Sequence, residues 1–508
     1  MLNNQIQLCS IFLLKSKKTI YLVQNKCICT MKHVGLLNGL IMRLYLFLVV
    51  AMTLTPPIQG QQNDKTSLKP RIIVLTDIAP NDIEPDDMES MVRLLAHADL
   101  FEIEALISTT GWNNTGGKER LDLIYKALDA YEKDLPNLKK RSQQLTFETD
   151  ESSQKIGYWP SPDYLRSRTV MGSTKMGINY IGKDNLSKGS ELIITLASEQ
   201  DDRPIWVTVW GGGNTFAQAL WEVQQKRSPE DFKTFMKKFR VYTITDQDRP
   251  WSRGDTITYS TSSHQWMRQW GKDLMFFWDE SAWKHQNSIG KDNWMQYERH
   301  IQNHGHLGKL YPKYKWGVEG DTPSFMYLVP NGLSDPNVPT QANWSGYFEF
   351  GMGRDSLTKS YTNYKGKPYE ISTTYFNYFY PALFNNFAAR MDWASDGTGN
   401  RNPTVVVNGS KDLLPMEIKA RTGQEIVLDA SQSTDPDGDP LHFKWWVMPE
   451  SGTYNKTIQI DAAETNSIAI KIPDDSEGQS FHVICEVTDH GTPQLTSYRR
   501  IIITPTEP

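Results

Sequence analysis

Cysteine is almost missing from this chain, and so are several other features that would narrow its function at once. Only four of 508 residues are cysteine, and Cys9, Cys27 and Cys29 all lie upstream of a short apolar run at Leu44 to Leu54. A disulfide scaffold is excluded. The remaining cysteine, Cys485, sits in an apolar alternation and reads as a buried strand residue, not a nucleophile. Basic excess is missing too. The net charge is −5 and the isoelectric point about 6.1, which sets a nucleic acid polymer aside as a partner. His264, His285, His300, His304 and His306 show no zinc-ligand spacing, and the His304–His306 pair reads as loop.

Long apolar runs are also lacking. Leu44 to Leu54 follows Met42 and Arg43 and ends in Thr55, Pro56 and Pro57, the form of a secretory signal peptide and too short for a membrane span. The expected organisation is therefore a leader and signal over 1–60, with Met31 or Met42 as alternative starts, and a polar linker over 61–69. An α/β domain over 70–400 and a β-rich domain over 401–508 follow. The mature chain is expected to be secreted or periplasmic, without a transmembrane anchor, and its oligomeric state is left open. Tryptophan is plentiful, with 16 residues. Core packing is the favoured reading for most of them, with sugar stacking as the alternative.

The stretch from Arg71 to Gly116 organises the rest. Ile72 to Leu75 is an unbroken apolar run, as in a strand buried on both faces, and Thr76 and Asp77 stand at its carboxyl end. Met88, Met91, Val92, Leu94, Leu95 and Ala98 recur at helical spacing behind Asp86 and Asp87, and acids at a helix start suit its dipole. A second strand, Ile103 to Ile107, runs into a polar loop ending near Asn113. This is a βαβ unit, and ligands of an open parallel sheet bind beyond the carboxyl ends of its strands, where Asp77, Asp86, Asp87 and Asn113 should meet. Asp77, Asp82, Glu84, Asp86 and Asp87 crowd one loop. A bound hard cation, calcium before magnesium, would relieve their repulsion; a solvated acidic turn is the alternative.

Further along, Leu121 to Leu135 and Leu192 to Glu199 read as helices. Pro204 to Trp210 is a strand running into Gly211, Gly212, Gly213 and Asn214 before another helix. Phe239 to Ile244 is a strand that delivers Asp246, Gln247 and Asp248 to the same sheet edge, where they suggest substrate contact. The segment Ser252 to Lys315 resists division. Asp321 precedes an apolar helix-like run, Phe325 to Val329, with Pro323 near its first turn. From Arg401 the pattern turns to alternating strands. Trp445 or Trp446 is a core residue there, and Asp435, Asp437 and Asp439 form a turn for which tight-turn chemistry is favoured over calcium.

The segment around Asp77, Asp86 and Asp87 resembles the amino-terminal signature of the inosine-uridine nucleoside hydrolases, and LLAHADLFEIEALISTTG resembles the helix, strand and loop that follow it there. The resemblance implies that Asp77, as the strand-end aspartate, and the pair Asp86 and Asp87 are metal ligands. It further implies that a backbone carbonyl at Asn214 and the late aspartate, Asp321, complete a calcium site. Two departures stand out: Ile78 to Pro85 lengthens the gap between Asp77 and the pair, and Gly320 replaces the histidine that usually precedes the late aspartate. Glu319 is then the candidate to replace the missing acid.

Together with the runs GDTPSF and DQD, these segments look like a narrower family of secreted cellulose-binding proteins with a nucleoside hydrolase-like domain. STDPDGDPLHFKWWV and FHVICEVTDHG resemble immunoglobulin-like modules of the polycystic-kidney-disease or cadherin kind. The implied fold is an open, mostly parallel α/β sheet of nucleoside hydrolase type followed by an all-β immunoglobulin-like sandwich. The implied activity is calcium-assisted hydrolysis of an N-glycosyl or related glycosidic bond in a nucleoside, sugar or polysaccharide. Asp77 would serve as base, and Asn113, Asp246, Gln247 and Asp248 would hold the sugar. The alternatives are a carbohydrate-binding protein of cellulose or pectin without catalysis and, more weakly, a structural surface protein.

Overall fold

The computed structural model describes residues 12–16, 19–23, 68–112, 118–248 and 259–507. Contacts divide the chain into Met1–Asp64 and Lys65–Pro508. In the first unit, Phe12–Ser16 pairs antiparallel with Thr19–Val23. The signal-like run at Leu44 to Leu54 and the polar loop at Asn113 lie outside the described residues.

The second unit begins with β1 (Arg71–Thr76), α1 (Asp86–Ala96) and β2 (Glu102–Ser108). Successive β1 side chains leave the sheet on opposite faces. Ile72 and Val74 enter one apolar core and Ile73 and Leu75 another, which is why the strand is apolar throughout between Arg71 and Thr76. Burying each such side chain stabilises the fold by about 2 kcal/mol.

The chain continues through α2 (Lys118–Ser142), β3 (Thr169–Met171), α3 (Lys188–Leu196), β4 (Ile205–Val209), α4 (Asn214–Lys226) and β5 (Phe239–Ile244). The helices α2 and α3 start earlier than their apolar spacing suggests. Ser187 extends α3 by capping it, accepting from Ser190 N. Next come α5 (Ser263–Arg268), β6 (Met275–Asp279), α6 (Ala282–Asp292), the single-turn α7 (Pro323–Met326), β7 (Glu349–Met352), β8 (Lys359–Thr362) and the long α8 (Gly366–Asp396). The eight strands lie in the order β3-β2-β1-β4-β5-β6-β8-β7. All pairings are parallel except that of β7 on β8 at the edge.

The order reverses between β1 and β4. Such a switch point opens a crevice beyond the strand ends, because the following chain segments leave in opposite directions. Register fixes what lines it. Leu75 pairs with Val209 and Thr76 with Ser108, so Asp77 stands level with the turn at Trp210 and Gly211 and with Thr109.

The carboxyl-terminal part is an all-β immunoglobulin-like sandwich. Strands β9 (Met416–Arg421), β11 (Leu441–Val447), β13 (Phe481–Asp489) and β14 (Thr496–Thr506) form one sheet, and β10 (Glu425–Asp429) pairs with β12 (Ser467–Lys471) in the other. Trp445 and Cys485 lie in its core. Trp446 faces the other way, stacking on Tyr375 of α8 at 5.9 Å and meeting Tyr378 edge-on at 5.5 Å. Met448, Ile484 and Tyr498 join the core of the α/β domain, so the two domains share buried apolar surface. Asp435 Oδ1 accepts from the amides of Asp437 and Asp439, the tight turn expected there. Among the described residues, no helix is long and apolar enough to cross a membrane.

Candidate functional site

Asp77 leaves the end of β1 directly into the crevice and is almost fully buried. Glycine is required around it. A Cβ at Gly111 would stand 2.3 Å from Asp77 Oδ2, and one at Gly211 would stand 2.5 Å from Asp77 Oδ1. These two glycines, one after β2 and one after β4, make room for a carboxylate of the protein itself. Arg120, in the first turn of α2, donates from Nη1 to the Asp77 carbonyl at 2.9 Å. Thr76 Oγ1 donates to Asp87 Oδ1 and accepts from Ile78 N at 3.0 Å, tying the strand end to the start of α1.

The extra residues between Asp77 and the aspartate pair fold back and bring Glu84 into the cluster. Carboxylate oxygens of Glu84, Asp86 and Asp87 all lie within 4.8 Å of one another. Asp321, just before α7, is as buried as Asp87 and close enough to feel the charges of Asp87, Asp86, Asp77 and Glu84. Its carbonyl accepts from Ser324 Oγ at 2.6 Å, and that hydroxyl accepts from Trp210 Nε1 at 2.8 Å, so the β4 turn and the Asp321 turn are locked together.

Electrostatics show how closely these acids are gathered. Burial, followed by the charges of Asp77, Asp86 and Asp87, pushes Glu84 up to about 11. Burial raises Asp86 to about 6. Burial and the neighbouring acids hold Asp87 and Asp321 well above the usual carboxylate range. Asp86 Oδ1 and Asp321 Oδ2 are sealed from solvent, and among the described residues neither has a hydrogen-bond partner. Sealed carboxylate oxygens around one point, with no nitrogen or sulfur donor among them, suit a hard cation such as calcium.

Other residues singled out from the sequence are placed differently. Glu319 is fully buried away from this group: its Oε2 pairs with Arg93 Nε at 3.0 Å, and its Oε1 accepts from Tyr311 Oη at 2.8 Å. Gln286 Nε2 adds a 3.2 Å bond to Oε2. This carboxylate holds the core together, which corrects its assignment as a replacement acid. Asn214 is the first residue of α4, where its carbonyl faces into the helical ladder. Its side chain grips the loop at Gly177, accepting from Gly177 N at 2.7 Å and donating to Gly177 O at 2.9 Å. Gly111 and Gly211 are backbone positions packed directly on Asp77.

Asp246 and Asp248 are also committed within the protein. Asp246 Oδ2 pairs with Arg268 at 3.1 Å and its Oδ1 accepts from Ser262 Oγ at 2.7 Å. Asp248 accepts from Gly213 N and Ser263 N, both at 3.0 Å. These acids fix α5 to the β4 turn and are engaged there instead of standing open for a sugar. Gln247 donates to Trp210 O and keeps Oε1 unbonded among the described residues, which leaves it as the member of the run with capacity for a ligand. Glu84 was legible only as one acid among several, and Arg120 carried no local signal at all.

A parallel sheet with this strand order, an acidic cluster at its switch point and an appended immunoglobulin-like sandwich define a nucleoside hydrolase-like protein. The chain belongs to the family described as cellulose-binding Sde182, nucleoside hydrolase-like domain, whose model matches residues 71–348. Residues 425–505 match the cellulose-binding protein Sde0182, C-terminal domain. It is similar to a solved nucleoside hydrolase-related protein from Saccharophagus degradans associated with carbohydrate metabolism, with 32% identity and a TM-score of 0.72, over 86% of this chain and 100% of that one. Two weaker likenesses are to the PKD domain of the KIAA 1837 protein (15% identity, TM-score 0.15, 18% and 83% coverage) and to the effector protein XOO4466 (10% identity, TM-score 0.31, 65% and 93% coverage). Both are too distant to bear on function. A comparison with curated proteins gives no match.

Proposed function

We propose that the protein is an exported, calcium-dependent hydrolase that cleaves an N-glycosyl or related glycosidic bond. The observation that carries this reading is the gathering of Asp77, Glu84, Asp86, Asp87 and Asp321 at the switch point, with sealed and unbonded oxygens on Asp86 and Asp321. Asp86, Asp87, Glu84 and Asp321 would hold the ion, with the backbone at Gly211 close by. Bound there, calcium would supply the positive charge that offsets the acids, eases deprotonation of a neighbouring water and orients sugar hydroxyls.

The protein's own residues supply the rest. Asp77, held rigidly at the end of β1, takes the proton of the attacking water. The surrounding carboxylates stabilise positive charge developing on the sugar ring as the bond to the leaving group breaks. Gln247 orients the sugar through its unbonded Oε1. The leading segment with its signal-like run supports export.

The tie between Glu319 and Arg93 favours a second reading, because it removes the acid that would protonate a leaving group. In that reading the same cleft binds carbohydrate without cutting it, in keeping with the cellulose-binding description of the family. The test is to screen nucleosides and plant oligosaccharides for released product, comparing wild type with Asp77→Asn. Hydrolysis by the wild type that disappears in Asp77→Asn, with ligand retention intact, supports the enzyme. Retention in both proteins with no product from any substrate supports the binding protein.

A further inference from the structure

The junction between the two domains encloses a cavity of about 380 Å³ that belongs to neither the acidic cluster nor the sandwich core. Three arginines line it. Arg141 ends α2, Arg390 lies on α8, and Arg401 opens the sandwich. Carboxylates are too few to match them. Arg141 Nη2 and Arg401 Nη2 converge on one oxygen, Asp437 Oδ1, at 2.6 and 2.9 Å, while Arg390 Nη1 pairs with Asp99. Arg390 is nearly fully buried, yet its Nε and the Nε of Arg141 have no hydrogen-bond partner among the described residues. Both nitrogens are sealed from solvent, so an incoming anion is met at the outer guanidinium nitrogens, which share only two carboxylates among three arginines.

This cavity does not stand alone. Gln143 lines both it and a larger one of about 920 Å³ that runs along the end of α2. There Lys139 and Lys140 continue the basic run, and Lys139 Nζ sits 4.0 Å from the centre of the Phe147 ring. Leu145 and Phe147 leave 90% and 39% of their surface exposed, large values for apolar side chains. The acid lining this part, Glu132, is already paired with Arg166 at 2.5 Å. The groove thus joins an apolar wall to a line of cations, on a protein whose net charge is −5.

We infer that this groove binds a carboxylate-bearing polysaccharide, a chain of uronate sugars. The planar forks of Arg141, Arg390 and Arg401 suit carboxylates, and the apolar wall at Phe147 and Leu145 suits the C–H faces of pyranose rings. A neutral glucan would make no use of the excess of cations over carboxylates along the groove, and an acidic peptide would not use the ring-sized apolar wall. The inference is independent of the calcium reading, since no residue is shared with that cluster.

The test is affinity electrophoresis of the full chain through gels containing polygalacturonate, hydroxyethylcellulose or polyglutamate, run with EDTA to exclude calcium bridging. The expected result is retardation by polygalacturonate above both others, weakening with salt. It should fall about tenfold in Arg141→Ala, the loss of one charge-assisted contact. Lys139→Gln/Lys140→Gln, on the solvent side of the helix, should weaken it in the same direction without risk to the domain junction. Asp86→Ala/Asp87→Ala should leave it unchanged. Equal retardation by polyglutamate, or polygalacturonate retardation that survives both groove variants, overturns the inference.

Discussion

Gly320 and Asp86 stand so close that no side chain fits between them: a Cβ at Gly320 would lie 2.9 Å from Asp86 Oδ2 and 3.0 Å from Asn287 Oδ1. The histidine that the nucleoside hydrolases carry before their late aspartate is therefore absent for a packing reason as well as a chemical one. The space it would need is taken by a carboxylate of the acidic cluster. Gly320→Ala should push Asp86 out of line and weaken calcium binding roughly tenfold, about 1.4 kcal/mol. The fold should persist, because the displaced group is a side-chain tip. Calcium titration by calorimetry checks this, and unchanged affinity would mean that Asp86 is not a ligand.

Glu319 is a different kind of acid, and its substitution should separate stability from activity. Removing one partner of a buried ion pair costs about 3–5 kcal/mol because the other charge is stranded. Arg93→Met should therefore lower the unfolding free energy by that order and Glu319→Gln by less, since Tyr311 and Gln286 can still bond an amide. In either variant the protein that remains folded should bind calcium normally. Denaturant unfolding paired with calcium titration tests the point.

Proton release should accompany calcium binding. The folded state raises Glu84 to about 11 and Asp86 to about 6, so without metal these acids favour their protonated forms. For an acid raised in this way, the stabilising contribution is fully present below the unfolded value near 4 and is lost as pH rises through the folded value. Metal-free protein should therefore lose stability between about pH 4 and pH 6 as Asp86 ionises, and calcium should remove that loss. At pH 7 the proton on Glu84 should be displaced, seen as a binding heat that changes with the ionisation enthalpy of the buffer. A heat independent of buffer would contradict the assignment of Glu84.

Trp446 should couple the two domains. It stacks on Tyr375 and meets Tyr378 edge-on outside the sandwich core, so Trp446→Ala should cost about 3 kcal/mol through lost packing. The effect should appear as separation of one cooperative unfolding transition into two. Trp445→Ala should instead unfold the sandwich alone. Scanning calorimetry distinguishes these outcomes.

The opening βαβ unit was legible because its signals are local: four consecutive apolar residues, helical spacing behind Asp86, and polar residues where the strands end. The sandwich was legible for the same reason, through alternation and a turn rich in aspartate. What escaped the sequence depends on distant partners. Glu319 looked like a spare acid because Arg93, which neutralises it, lies two elements into the fold. Asp246 looked open to a sugar because Arg268 arrives from a helix in a stretch without periodicity, where β6 is only five residues long. Arg120 had no local pattern, and its role appears only once the start of α2 reaches the Asp77 carbonyl. Asn214 was legible as the end of a glycine-rich turn, but not its side-chain grip on Gly177, which comes from a distant loop.

The most direct test of the central claim is the metal content of purified protein by mass spectrometry, wild type against Asp86→Ala/Asp87→Ala, after calcium loading and desalting. The account predicts one calcium per wild-type chain and none in the variant, with both proteins folded. Wild-type protein without calcium, or a variant that keeps it, would contradict the metal centre and the hydrolytic function built on it.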